Sequence, residues 1–372
     1  MLNIAAAAQS NIPRIQMGRD RKELDPRAGF VSAGDYFYAV RMAFTRGAHM
    51  RDERLDVLAA SPSTYGSETV GPDGGFAVPI AFANEVFTHS LSEGALLPFV
   101  DVIPISTNSM MLPIDETTPW GTDGEHAYWI TEGTTLTATK PKIRETLLRM
   151  AKLTVLVPLS DELLNDSAAL GAYLPKRAGD RIRWGINDAI LFGLGSGRPL
   201  GAFTGVGVTG SAAITIAKEA GQAVNTVAIQ NLAKMYTTLP QGSHTRAVWL
   251  IQPDTLALAI SIGASAFPMT APLPEYPGSA GTLFGRPVFA SQHCAALSSA
   301  GDIILVDLAY YTAIVRSVDP VRTVISLHVA FDADVGMFRA IMRMDGQPKI
   351  VAPLTAKNSS NKLSPFVQLG AR

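Results

Sequence analysis

Residues Ala127 to Ala168 read AYWITEGTTLTATKPKIRETLLRMAKLTVLVPLSDELLNDSA. The first part belongs to a connection, residues 118–142, with no regular hydrophobic pattern. In a compact domain a connection of that length is functional or unstructured. Trp120, Tyr128 and Trp129 within it argue against disorder. Its flanks, Ser109 to Thr117 and Ile143 to Leu159, read as strands. The second partly alternates, with Leu147, Leu153 and Val155 against Leu148, Met150 and Leu156, which is β character. The reading is a long two-stranded arm with an aromatic-rich tip. An arm that leaves its domain and carries no chemistry is most simply explained as a grip on a neighbouring copy. Each large aromatic buries about 150–250 Å². At ~25 cal/mol per Å² that is several kcal/mol per ring before ordering costs. Trp120, Tyr128, Trp129, Lys140 and Lys142 are therefore the expected inter-subunit contacts of this loop.

Working outward, a long helix is expected from about Ala168, after a cap in NDSA. Leu174, Ala178, Ile182, Ile186 and Ile190 recur every four residues and form its core face. Pro175, Gly179 and Gly185 oppose it, at about 1 kcal/mol per Gly and ~3 for an interior Pro. Pro175 is tolerable in a first turn or at a kink. Gly193, Gly195 and Gly197 in FGLGSGRPLG end the helix. Upstream, GGFAVPIAFANEVF (74–87) leads into a helix over 79–92, and PFVDVIPI holds a short strand. Residues 61–75 are rich in Gly, Ser and Pro, which is linker chemistry. GDYFYAVRMAFTRG (34–47) reads as an amphipathic helix with Tyr36, Val40 and Phe44 on one stripe. Met1 to Pro13 is expected to be mobile.

Downstream, residues 225–320 alternate helix and strand. Only nine charged residues lie between Val206 and Val315, which suggests a partly apolar surface packed around a symmetry axis. VRTVISLHVAFDADVGMFRAIMRMDGQPKIVAPLTA (321–356) gives two long strands, and KNSSNKLSPFVQLGAR a polar, mobile tail.

Composition narrows the function. The 372-residue chain is 47% hydrophobic and 17% charged. Ordinary domains are about 25% charged. Much of this chain's surface should therefore be buried or in contact. The net charge of −1 argues against a dedicated nucleic-acid binder. Cys294, the single cysteine, rules out an internal disulfide framework. It reads as a small buried apolar residue. No apolar run approaches a membrane span, and the N-terminus lacks signal-peptide character.

The tempting motifs fail on context. GVGVTG (205–210) has the dinucleotide spacing, but a helix and loop precede it and position 230 is Gln instead of an acid. FGLGSGRPLG lacks the G-K-[ST] ending of a phosphate loop, and Ser196 lacks the nucleophile-elbow flanks. His49, His89, His126, His244, His293 and His328 show no metal spacing. DERLD around Asp52 reads as a solvated face, and DADV around Asp332 as strand-turn polarity.

GGFAVP, AYWITEG, VPLSDELLNDSA, FGLGSGRPLG and FRAIMRMDGQPKIVAPLTA stand in an order that resembles the tailed-bacteriophage major capsid proteins of the Hong Kong 97 type. The resemblance covers roughly residues 70–356. The first seventy residues match loosely, through AGFVSAGDYFYAVR. It implies an α+β, HK97-like capsid fold. Its parts would be an N-terminal arm (1–73), a peripheral domain (74–106), an extended loop hairpin (107–159) and a spine helix with more of the peripheral domain (160–224). An axial α/β domain (225–320), return strands (321–356) and a C-terminal tail (357–372) would follow. It further implies pentamers and hexamers in an icosahedral shell around double-stranded DNA, bound without sequence specificity. Portal protein and a scaffold or protease would be partners. No catalysis, cofactor, metal or membrane is expected, and the place would be the virion, after assembly in the host cytoplasm. Some family members cross-link a loop lysine to a neighbour's asparagine. Lys140, Lys142 and Lys152 lie in or beside the loop, but no partner is identifiable and the reaction is not assigned. An encapsulin-like shell is the alternative, and from another class a nucleotide-binding oxidoreductase resting on GVGVTG.

Overall fold

A computed structural model describes residues 27–45, 52–55, 75–77, 80–91, 94–121, 124–132, 135, 139–160, 167–205, 211–261, 278–317, 320–330 and 335–372. The expectations for Met1–Pro13, for the linker before residue 75, for most of GVGVTG and for Asp332 fall outside them. The chain divides into two compact units. One comprises Met1–Phe82, Pro158–Ala172 and Val324–Phe338; the other comprises the remainder.

In the smaller unit, helix α1 (Ala33–Thr45) starts with a reciprocal cap. Ser32 Oγ accepts the Asp35 N–H at 3.2 Å. The Asp35 carboxylate accepts the Val31 N–H at 3.3 Å. Two end donors are thereby satisfied at once. Tyr36 and Val40 on the stripe are buried; the Phe44 side chain lies outside the described residues. DERLD is the solvated face expected only in part: Glu53 is exposed, but its neighbours are engaged. Arg54 bonds Asp35 at 2.8 Å and Asp52 at 2.6 Å and lies 4.4 Å from the centre of the Phe30 ring, while Leu55 is buried. The Arg54 hydrogen bond holds the Asp52 carboxyl below its usual range. Sequence spacing hid this, because Asp35 and Arg54 are far apart along the chain. Strand β1 (Gly75–Ala77) completes this unit's early part.

Helix α2 (Ile80–Ser90) and strand β2 (Asp101–Ile105) follow as expected. Next come β3 (Ser109–Asp115), β4 (Ile143–Arg149) and β5 (Ala151–Ser160). The second flank of the arm is thus two strands rather than one. At the break, the Met150 N–H donates to the Asn108 carbonyl at 3.0 Å. β4 stays with β3, and β5 leaves for another sheet.

Helix α3 (Ser167–Phe192) is 26 residues long. Leu174, Ala178, Ile182, Ile186 and Ile190 are all buried. Pro175 is in the helix interior, outside the first turn. The two glycines have packing reasons. A Cβ on Gly179 would lie 2.6 Å from His89 Cβ and 2.9 Å from the Val86 carbonyl oxygen, so α2 crosses there at backbone distance. Gly185 faces Leu153 of β5 at 3.1 Å in the same sense. FGLGSGRPLG closes the helix instead of cradling phosphate. Its return places the Ala202 N–H on the Ile190 carbonyl at 2.8 Å and the Phe203 N–H on the Leu191 carbonyl at 2.9 Å. The last carbonyls of the helix, which lack partners within it, are satisfied in this way. Gly195 has a φ of 74° and Gly197 a φ of 69°. That left-handed backbone makes the tight turn possible and suits glycine.

The rest of the chain supplies β6 (Ile214–Ile216), α4 (Ile229–Thr237), β7 (Val248–Ile251), α5 (Pro253–Ser261), β8 (Gly281–Leu283), β9 (Arg286–Ala290) and β10 (Ile303–Val306). β11 (Tyr311–Arg316), β12 (Val321–Ala330), β13 (Val335–Pro348), β14 (Leu354–Thr355), β15 (Lys362–Leu363) and β16 (Phe366–Leu369) end it. A six-stranded sheet runs β6-β16-β10-β7-β9-β8. Its strands β7 (VWLI) and β10 (IILV) are buried throughout, as two-sided central strands must be. Trp249 fills the core, and its Nε1–H donates to the Leu283 carbonyl at 3.1 Å. A buried indole needs such a partner.

The C-terminal segment overturns the expectation of a mobile tail. β16 lies between β6 and β10, parallel to the first and antiparallel to the second. The buried Arg372 guanidinium grips Asp302, equally buried, with bonds of 2.8 and 2.5 Å. β11, which lies within the span 225–320 expected as the axial domain, pairs with β2 (parallel) and β13 (antiparallel). In the smaller unit β1 runs antiparallel to β12.

Candidate subunit interface

The β3–β4 ribbon has one face on the protein and one exposed. In its register Ser109 opposes Arg149, Met111 opposes Leu147, Pro113 opposes Glu145 and Asp115 opposes Ile143. All eight are exposed, with Met111 60% and Leu147 61% accessible. The opposite face puts Ile114 and Leu148 inside. A two-stranded ribbon is marginal by itself, so its stability comes from that buried side.

Polar contacts tie both ends of the ribbon to the chain, Glu116 at the end where the loop begins and Asp345 at the base. Glu116 Oε1 accepts from Arg144 at 2.8 Å and from the Val351 N–H at 3.2 Å. Asp345 accepts from the Arg149 N–H at 2.7 Å and from the Gly346 N–H at 2.8 Å. Burial pushes the Asp345 carboxyl above its usual range, and those two donors pull it part of the way back. The carboxylate is disfavoured by lost solvent and favoured by each N–H aimed at it. An open cleft of about 840 Å³ separates the loop end of the ribbon from residues 352–357.

The expected contact residues divide. Trp120 is partly exposed, but its Nε1–H donates to the Thr355 carbonyl at 2.9 Å, so this part of the loop is tied to its own chain. Tyr128 is half exposed, with its ring edge-on to His126 at 6.1 Å. Trp129 is fully exposed, and Ile130 beside it is also exposed. Lys140 and Lys142 are exposed, and Lys142 lines the cleft.

Sequence reasoning missed Trp184. It stands on α3, off the buried stripe, and stacks on His293 with ring centres 4.0 Å apart. The pair sits in a groove of about 540 Å³ with Leu91, Pro98, Phe99 and Phe289. Burial lowers the His293 pKa, and the Asp188 charge opposes that. The available signal was a large aromatic on the polar side of an amphipathic helix. Cys294, next to His293, is buried, and its thiol pKa is pushed up to about 12. Among the described residues no group of three or more His, Cys, Asp or Glu is placed to hold a metal ion, and no helix is long and apolar enough to cross a membrane.

The fold is that of known capsids. The capsid of an empty GTA particle matches with a TM-score of 0.55 at 19% identity, covering 75% of this chain and 91% of that one. The capsid of the native GTA particle gives 0.52 at 18%, over 76% and 91%. A chain of Microbacterium phage Oxtober96 gives 0.50 at 12%, over 75% and 91%. At these identities the likeness is one of fold. No curated protein matches the sequence. The family model described as the phage capsid family matches residues 74–356, from the start of β1 past the return strands, and the chain belongs to that family.

Proposed function

We propose that this chain is the major subunit of the icosahedral head shell of a tailed phage or prophage, built from pentamers and hexamers around a double-stranded DNA genome. The observation that carries the reading is the uncovered arm. Met111, Leu147, Ile143 and Trp129 expose apolar surface that none of the described residues covers. Covered by a neighbour, such side chains contribute several kcal/mol per subunit at ~25 cal/mol per Å². Closed symmetry repeats that gain at every interface, so modest contacts give a strong shell. Trp129, Tyr128, Lys140 and Lys142 would meet the neighbour, while Trp120 ties the start of the loop to its own chain. Portal protein and a scaffold or protease would complete assembly in the host cytoplasm. With a net charge of −1, the wall leaves most of the DNA charge to small cations.

Sedimentation and electron microscopy of the purified chain at micromolar concentration test this. Rings or closed shells are expected. A stable monomer across all salt and pH conditions would overturn it.

A further inference from the structure

The exposed side of α3 is cationic. Tyr173, Arg177, Arg181 and Trp184 recur at three- and four-residue spacing, with Lys176 beside them. Tyr173 is 58% and Trp184 51% accessible, and the three basic residues between them are exposed. The stripe runs about 16 Å along the helix axis, at ~1.5 Å per residue. The helix's anions are already engaged. Asp180 pairs with Arg183 at 3.0 Å, and Asp188, beyond the aromatic end, faces Arg198 at 3.8 Å. Among the described residues no carboxylate pairs with Lys176, Arg177 or Arg181.

Three neighbouring cations without such a partner repel one another, and they are off the helix's folding face. Arginine and aromatic side chains also occur at protein interfaces, but lysine is depleted there, and three cations without a carboxylate call for a partner that is itself a polyanion. A nucleic acid duplex is a good one. It presents one phosphate charge per about 1.7 Å of axis, so a short basic stripe finds partners in any register and on any sequence. The Tyr173 hydroxyl is a further phosphate donor of a common kind.

We propose that this face of α3 lines the interior of the shell and binds the phosphates of the enclosed DNA duplex without regard to sequence. This rests on the reading of the chain as a DNA-enclosing shell subunit. Contact at three cations per subunit, repeated around the shell, orders the outermost layer of DNA against the wall. The low net charge keeps each contact weak enough to exchange while the duplex moves in.

The test uses the full-length chain before shell closure and two fluorescein-labelled duplexes of unrelated sequence, each about three helical turns long. Anisotropy is followed from about 50 to about 200 mM salt, the range over which phosphate contacts are lost. Both duplexes should bind alike. The triple variant Lys176→Gln, Arg177→Gln, Arg181→Gln should lower the slope of log affinity against log salt by about 2.7, at ~0.9 per phosphate contact. Across that salt range the three contacts account for a ~40-fold change in affinity. Arg177→Gln alone should lower the slope by about 0.9. A charge-matched control, Lys152→Gln, Lys218→Gln, Lys357→Gln, should leave the slope as in wild type. Equal slopes for the triple variant and wild type overturn the proposal. So does a triple variant that loses assembly while keeping its duplex affinity, because the face would then be a protein contact. Electron microscopy of the wild-type preparation reports separately on shell formation. Absent shells count against the capsid reading, whereas an unchanged slope counts only against this surface.

Discussion

Gly179 and Ile186 show opposite uses of one helix. In an exposed helix, Gly→Ala ordinarily stabilises by about 1 kcal/mol. At Gly179 the new Cβ meets His89 Cβ at 2.6 Å and backbone at 2.9 Å, and a backbone neighbour cannot swing aside. Gly179→Ala should therefore destabilise, by about 1–3 kcal/mol, as overpacking does. Ile186 is buried on a packed face. Ile186→Ala leaves a cavity there and should cost about 2–5 kcal/mol. Arg181 lies on the exposed side. Arg181→Ala should change stability by no more than about 0.5 kcal/mol, as surface substitutions do. Denaturant melts of an assembly-blocked subunit measure all three. A stabilised Gly179→Ala would mean that α2 and α3 can separate at no cost.

At the scale of the element, the β3–β4 ribbon is held at both ends, and Tyr128, Trp129 and Ile130 of the loop stay exposed. Asp345 fixes the base by taking the Arg149 N–H at the point where β4 becomes β5. Asp345→Ala should cost about 1–3 kcal/mol, the loss of backbone N–H bonds to a charged acceptor. It should also speed hydrogen exchange at Arg149 and Met150, while exchange in β7 and β10 stays slow. The two tryptophans should separate in the same way. Trp129→Ser should leave the melting curve unchanged and reduce particle yield, because the ring is fully exposed on its own chain. The Trp120 indole N–H is bonded to Thr355. Trp120→Ser should accordingly lower subunit stability by about 1 kcal/mol. Circular dichroism beside particle yield distinguishes them. If Trp129→Ser melts the subunit, the tip is folded onto its own chain.

For the whole molecule, the last residues complete a sheet that began at residue 214. β16 is a central strand, and Arg372 neutralises Asp302, which also holds the Ser298 N–H and the Thr255 hydroxyl. Removing one member of a buried ion pair strands the other, at about 3–5 kcal/mol. Arg372→Ala should cost that much. Deleting residues 364–372 should leave the larger unit unfolded, because β6 and β10 would face each other across a missing strand. Solubility and near-ultraviolet circular dichroism would show it. A soluble, native-like deletion would mean that the sheet closes without β16.

Local pattern alone determined the amphipathic helices, the α3 core face, the glycine stop after Phe192, the strands of the β3–β4 hairpin and the order of segments that marks the capsid family. These signals are short-range: period, capping and turn chemistry act within a few residues of chain. Tertiary structure alone decided the remainder. KNSSNKLSPFVQLGAR reads as a polar tail because its strand holds only four residues, yet backbone pairing on both sides buries it. The arm's second flank reads as one strand, and only the competing partner β13 shows where it divides. Trp120 and Trp129 have the same local character, and a carbonyl 235 residues away separates the anchored ring from the exposed one. Pairing across the chain carries no local signature, because the partner strand or carbonyl is brought near only by the fold itself.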